Sequence, residues 1–143
     1  MHRDMKPENV MIRNTKQGFR QLVIVDFGLA EFVKQDKYLL EKCGTPGYVA
    51  PEVAHFKQGD RLTAKCDVFS LGVIFHLLTC RSHLFEGSSS DEVYQKNRNL
   101  DFNLFDPKYN SINPTIMDLL RKMLTTDVSH RISISEALNH PFF

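Results

Sequence analysis

The apolar positions fall into two regimes along the chain. Residues 1–56 carry short apolar runs broken by polar turns, and residues 66–143 carry longer stretches at helical spacing. Val10-Met11-Ile12, ended by Asn14 and Gly18, and Leu22 to Val25, ended by Asp26 and Gly28, predict two short strands joined by a polar turn, a small β-ribbon. From Leu29 to Lys42 no period holds, which predicts an extended or mobile loop, and Thr45-Pro46-Gly47 adds a turn.

The second regime predicts helices. Val68, Leu71, Gly72, Phe75 and Leu78 share one face, and Val73, Ile74 and Leu77 fill much of the rest, so Asp67 to Cys80 is expected to be a helix buried nearly all round. Ser88-Ser89-Ser90 leads into a short polar helix over Asp91 to Asn97, with Ser90 or Asp91 as N-cap. Asn113 caps a helix opened by Pro114, whose apolar stripe is Ile116, Leu119, Leu120, Met123 and Leu124. Ser133 or Ser135 opens a last short helix that runs through Leu138 and is stopped by Pro141. The fold class is α+β, mainly α.

Composition narrows the functional classes. The chain has 143 residues, 42% hydrophobic and 24% charged, enough for one domain with a core and unlike a disordered segment. Eighteen Lys and Arg oppose seventeen Asp and Glu, a balance that calls for neither nucleic acid nor an anionic membrane as partner. The longest strongly apolar run, Phe69 to Leu78, is far below the ~20 residues of a membrane span. No apolar signal segment opens the sequence. Cys43, Cys66 and Cys80 form no C-x-x-C pair, so reduced thiols in an intracellular, cytoplasmic setting are expected. The histidines show no metal spacing, and His76 and His130 read as packing or surface residues.

The chemistry concentrates near the start. His2-Arg3-Asp4 is followed by Met5-Lys6-Pro7-Glu8-Asn9. Asp26-Phe27-Gly28 comes seventeen residues past Asn9, directly after an apolar strand, and Gly44-Thr45-Pro46-Gly47-Tyr48-Val49-Ala50-Pro51-Glu52 follows. Singly, Asp4 reads equally as a surface carboxylate, and Asp-Phe-Gly as a turn. Together, in this order and at these separations, the motifs resemble those of the eukaryotic protein kinases, with Met5 where the pattern has Leu.

The residue types suit phosphoryl transfer, which needs a positioned hydroxyl and cations on phosphate oxygens. Asp4 is suited to orient a substrate hydroxyl and take its proton. Lys6 is a flexible cation able to reach the transferring phosphate. Asn9 and Asp26 offer an amide and a carboxylate oxygen to Mg²⁺, and Gly28 would let the chain turn sharply after Asp26.

The resemblance implies more. Residues 1–28 would be the catalytic loop through to Asp-Phe-Gly, 26–52 the activation segment and 53–143 a helical subdomain, together a partial kinase C-lobe with the N-lobe absent. Lys6 and Thr45 match the serine/threonine branch, and the wording of Cys43 to Tyr48, with Glu8 before Asn9, is closest to the calcium/calmodulin-dependent group. ATP and Mg²⁺ are the implied cofactors, with Met11 and Asp26 on the nucleotide side. Protein substrates bearing Ser or Thr are the implied partners. Glu8 would help read a basic residue upstream of the phosphosite, or is simply a solvated Glu. Calmodulin is admitted as a partner without a segment for it in this chain.

Thr45 would contact Asp4 and Lys6. His2 and Phe27 match two members of a stacked apolar spine. Glu52 would pair with Arg131, and Asp67 would hold the catalytic-loop backbone or serve as an ordinary N-cap. Arg3 matches the residue that pairs with a phosphorylated side chain in the activation segment. No Ser or Thr stands between Asp26 and Thr45, so Glu41 is expected to give Arg3 a permanent, weaker negative charge, or else to be solvated.

No Gly-rich phosphate loop, strand Lys or helix Glu precedes His2, nor do the two long helices that the family places before the catalytic loop. The chain alone is therefore expected to be inactive and marginally stable, with apolar surface of the Asp67–Cys80 helix exposed. Met1 reads as an internal Met of a longer reading frame, and Leu138 to Phe143 match the close of the family domain. The reading from another class is a non-catalytic binding module or decoy derived from a kinase C-lobe; a decaying gene fragment is a third.

Overall fold

The structure, a computed structural model, describes residues 1–14, 18, 20–33, 35 and 37–143. Strands β1 (Val10–Asn14) and β2 (Arg20–Ile24) pair antiparallel, with Val10 opposite Ile24 and Asn14 opposite Arg20. The turn expected between them falls on Thr15, Lys16, Gln17 and Phe19, which lie outside the described residues, as do Lys34 and Asp36 of the loop expected over Leu29 to Lys42. The ribbon is apolar yet uncovered: Met11, Ile12, Leu22 and Ile24 are all exposed.

Helices then follow: α1 (Pro51–Ala54), α2 (Lys65–Cys80), α3 (Ser90–Asn99), α4 (Pro114–Met123) and α5 (Ile134–Leu138). The α+β, mainly α expectation holds at this level. Helix α1 has no sequence period to announce it; Pro51 at its first position supplies a preset φ. Helix α2 buries Cys66, Phe69, Val73 and His76 along one stripe. Val68 and Gly72 turn toward α4, where a Cβ on Gly72 would stand 3.0 Å from Met123 Cβ and from Leu124 Cδ2. The glycine is what lets the two helices approach.

The expectation from periodicity that α2 is buried nearly all round does not hold, whereas the expectation that it leaves apolar surface exposed does. Leu78 is 73% exposed and Leu71 and Phe75 are half-buried. The ring facing Phe75 is Phe142, at 5.0 Å between centroids, and it covers only part of that face.

Three helix starts show how capping sets boundaries. Helix α3 begins one residue earlier than its polar pattern suggests, because Ser89 is extended and its Oγ accepts from Glu92 N at 3.2 Å. Asn113 caps α4 as expected, accepting from Thr115 N at 2.8 Å. Ser133, rather than Ser135, caps α5 in a reciprocal box with Glu136.

The main core joins Tyr38, Phe56, Leu62, Phe69, Leu84, Phe85, Tyr109, Leu120 and Leu124, and a smaller cluster packs Val68 and Leu119 with Met123 and Ala137. Both His expectations are met: His76 is buried with Nε2 3.0 Å from Tyr109 Oη, and His130 is exposed beside Asp127.

Candidate active site

The first residues have no helix or sheet to hold them, so their backbone is fastened from a distance. Asp67, in the first turn of α2, accepts from His2 N at 2.7 Å and from Arg3 N at 2.8 Å. Arg3 sits at φ +67°, a region that costs a side chain free energy. It is held there because its side chain is anchored too, donating Nε to Leu29 O at 2.8 Å and Nη1 to Leu40 O at 2.6 Å. Gly44 closes onto the same place: at φ +106° its missing Cβ would meet Arg3 O at 2.9 Å. Only glycine lets the two segments touch there.

That contact delivers Thr45 to Asp4. Asp4 Oδ1 accepts from Thr45 N at 2.9 Å and Thr45 Oγ1 at 2.7 Å. Lys6 Nζ lies 3.0 Å from Asp4 Oδ2 and donates to Thr45 Oγ1 at 2.7 Å. Asn9, buried, donates Nδ2 to Asp4 O at 2.9 Å and to Asp4 Oδ2 at 3.3 Å. Burial pushes the Asp4 carboxyl up, but the Thr45 and Lys6 hydrogen bonds and the Lys6 charge outweigh it and hold the group below the usual carboxylate value. At neutral pH Asp4 is an ionised acceptor.

The Asp26 motif joins through backbone. Val25 N donates to Asn9 O at 3.0 Å. His2 stacks edge-on with Phe27, centroids 5.0 Å apart, and its ring is oriented by Asp4 N on Nδ1 and Val25 O against Nε2. The sharp turn falls on Asp26 itself, at φ +62°, and not on Gly28, whose φ is ordinary. Gly28 instead donates its N–H to Asp26 Oδ1 at 3.2 Å, in a spot where a Cβ would crowd the same oxygen. Asp26 and Phe27 are otherwise exposed, as is Met11 on β1.

Behind the site, Arg131 is 1% exposed and meets Glu52 through Nη1 at 2.7 Å and Nη2 at 2.9 Å. Its remaining donors reach Lys65 O and Thr125 O, both at 2.8 Å, and Thr126 O at 3.3 Å.

For Arg3 the structure substitutes another acid. Among the described residues Arg3 pairs with Glu31, Nη2 to Oε1 3.9 Å, while Glu41 is exposed. Leu40 O, from the residue before Glu41, already takes the Arg3 Nη1 donor. Glu31 also accepts from Leu39 N at 3.2 Å and Gln35 Nε2 at 2.9 Å, and buried Tyr38 accepts from Leu62 N at 2.9 Å. Sequence reasoning missed Glu31 and Tyr38, since the segment has no period to mark them.

Glu8 is exposed on the wall of a groove of about 460 Å³ that also takes in Pro46, Tyr48, Leu84, Phe85 and Glu86. Burial, and then the Glu8 charge, push the Tyr48 phenol up. Among the described residues no three His, Cys, Asp or Glu gather as a metal cluster, and no helix is long and apolar enough to cross a membrane.

The protein kinase domain pattern matches residues 1–143. The chain is 40% identical to "Probable serine/threonine-protein kinase fhkB" of Dictyostelium discoideum over its whole length, covering 12% of that protein. It is 34% identical to myosin light chain kinase A of the same organism over 99% of the chain, covering 47% of that protein. It is 37% identical to calcium-dependent protein kinase 3 of Plasmodium yoelii yoelii over 99% of the chain, covering 26% of that protein. The chain thus spans less than half the length of each of these relatives.

Proposed function

Since this chain belongs to the protein kinase domain family, we propose that it is the substrate-side part of a serine/threonine kinase C-lobe. In the full-length protein it would transfer the terminal phosphoryl group of ATP to Ser or Thr of protein substrates. The observation that carries this reading is the Asp4–Thr45–Lys6 contact, in which a carboxylate and an ammonium share one hydroxyl.

The geometry supports the following roles. Asp4 keeps an ionised carboxylate at the loop surface to orient the substrate hydroxyl and accept its proton. Lys6, tethered among the described residues through Thr45 and Asp4, moves a positive charge toward the transferred group. Thr45 holds both at one spacing. Asn9 uses its N–H₂ on Asp4, and among the described residues its amide oxygen has no partner and Asp26 Oδ1 takes the Gly28 N–H alone. Two hard oxygen donors and no sulfur or imidazole suit Mg²⁺, which takes few ligands from protein. Bound there with ATP, the ion would supply charge neutralisation on the phosphates. Met11 would lie beside the nucleotide.

Serine/threonine specificity is supported by the names of the relatives and by Lys6 and Thr45. Protein substrates with a basic residue near the phosphosite are supported by the Glu8 wall. Calmodulin as a partner of the full protein rests on the calcium-dependent and myosin light chain kinase relatives. An intracellular, cytoplasmic setting rests on the reduced thiols.

Residues 1–143 alone would not turn over. Support comes from the apolar side chains left open beside the site: Met11 is 56% exposed, Phe27 64% and Phe32 83%. An apolar cavity of about 540 Å³ between Met1, Phe27, Phe32 and Val33 adjoins them. The binding-module reading has one observation in its favour: the Glu8–Tyr48–Glu86 groove is built from this chain alone.

The test is phosphorylation by the full-length protein of Ser, Thr and Tyr peptide arrays with Mg²⁺ and ATP. Labelling of Ser and Thr peptides, lost by about 10²-fold or more in Asp4→Asn, is expected. Peptide capture with no turnover would replace the enzyme by the binding module.

A further inference from the structure

Helix α3 is polar along most of its length, yet Asn97 near its end is 2% exposed. A primary amide in that position costs free energy unless both of its ends find partners. It finds them on one short segment of the activation region. Asn97 Oδ1 accepts from Gly47 N at 3.1 Å, and Asn97 Nδ2 donates to Val49 O at 3.0 Å. One side chain therefore brackets Tyr48 as a neighbouring strand would. The carbonyl between those two groups is taken as well, since Tyr48 O accepts from Ser70 Oγ of α2 at 2.7 Å.

Three successive backbone units are thus pinned from two helices. The fit leaves little room: Gly47 lies at φ +91°, and a Cβ there would come 3.2 Å from Val93 Cγ1, one turn before Asn97 on α3. The pinned segment is also one turn from Asp4. Tyr48 N donates to Thr45 O at 3.1 Å, and Thr45 holds the Asp4 carboxylate through its N–H and hydroxyl. On its other side Pro46, Gly47 and Tyr48 form the wall of the groove that faces Glu8 and Glu86.

We propose that Asn97 is a positioning residue for the peptide substrate. It touches neither Asp4 nor the nucleotide side. By fixing Gly47–Val49 it sets where the groove wall stands relative to the Asp4 carboxylate, and so where a bound peptide presents its hydroxyl. The inference rests on the kinase reading, which names the groove's occupant as a peptide.

The full-length protein tests it with Asn97→Leu, which keeps the branched shape and removes both polar ends, and Asn97→Asp, which keeps the acceptor for Gly47 N and removes the donor for Val49 O. The probe is an Arg-containing Ser peptide taken from the array. Asn97→Leu is expected to raise the peptide KM about tenfold, the value of one buried polar group left unpaired. The KM for ATP should be unchanged, and amide hydrogen exchange at Gly47 should speed up. Asn97→Asp should restore the Gly47 protection. Unchanged Gly47 exchange in Asn97→Leu overturns the proposal. So does a parallel rise in both KM values with a fall in kcat, which would report general loosening of α3. If the wild-type protein labels no peptide, the kinase reading falls. Gly47 exchange and peptide binding by anisotropy then still decide whether Asn97 sets the groove.

Discussion

Glu52 and Arg131 meet through two parallel hydrogen bonds of 2.7 and 2.9 Å, 79 positions apart in sequence. The guanidinium also stands 5.1 Å over the Phe69 ring, and its side chain is fully buried. Removing the acid strands a buried cation. Glu52→Ala is expected to destabilise the fold by about 3–5 kcal/mol, far above the ~1 kcal/mol of a surface pair. Urea unfolding of the full-length protein gives the number, and a loss near the surface-pair value would show that Arg131 is adequately served by its backbone partners.

The Gly44 approach to Arg3 makes a second expectation. Gly44→Ala places a methyl 2.9 Å from a backbone oxygen at φ +106°, so the loop must shift. A strain of about 1–3 kcal/mol is expected, and the shift moves Thr45 away from Asp4. Phosphorylation should fall more steeply than thermal stability does. Equal activity per folded molecule would mean that the Thr45 contact does not depend on this approach.

Arg3 and Glu31 set a third. Glu31→Gln keeps the oxygen that accepts from Leu39 N and removes the charge facing Arg3. At 3.9 Å the pair is worth about 1 kcal/mol, enough to loosen the segment over residues 37–40 without unfolding the domain. Faster proteolysis or hydrogen exchange there is expected in Glu31→Gln and not in Glu41→Gln. The reverse ranking would return the counter-charge to Glu41.

Asp4 carries the pH dependence. Burial raises its pKa, but the Thr45 and Lys6 hydrogen bonds with the Lys6 charge lower it by more, so the folded value lies below the ordinary 3.8. A carboxyl shifted that way adds stability that is fully present above its unfolded value and is lost as pH falls through the folded one. Thr45→Val removes the largest of the opposing contacts. The Asp4 carboxyl carbon, followed by NMR in acid, should therefore titrate at higher pH in Thr45→Val than in wild type. An unchanged midpoint would mean that Lys6 and the backbone N–H of residue 45 suffice to keep Asp4 ionised.

The sequence made some of this legible and hid the rest for physical reasons. The cap at Asn113 and the stripe through Leu119, Leu120, Met123 and Leu124 could be read directly, because local spacing and local hydrogen bonds decide them. The uncovered face of α2 was expected from the family resemblance and not from periodicity, which records which side chains are apolar and not what packs on them. Asp4, Lys6 and Thr45 were found by motif, and the structure brings them within hydrogen-bond reach. Asn97 stayed hidden inside a polar helix, where nothing distinguishes a solvated amide from one that holds another segment. Glu41 and Glu31 show the same limit for charge: spacing pointed to Glu41 alone, and the acid that faces Arg3 is Glu31, in a segment with no period to mark it.

The Asp67 bonds to His2 and Arg3 also set an order of events during synthesis. The ribbon β1–β2 joins residues a few positions apart and can close as soon as it leaves the ribosome. The backbone amides of His2 and Arg3 must wait until Asp67 emerges, 65 and 64 positions later. At ribosomal rates that is roughly 3–13 s, long beside the microseconds a hairpin needs. The nascent chain makes His2, Arg3 and Asp4 before Asp67 and acquires their geometry only once Asp67 has emerged.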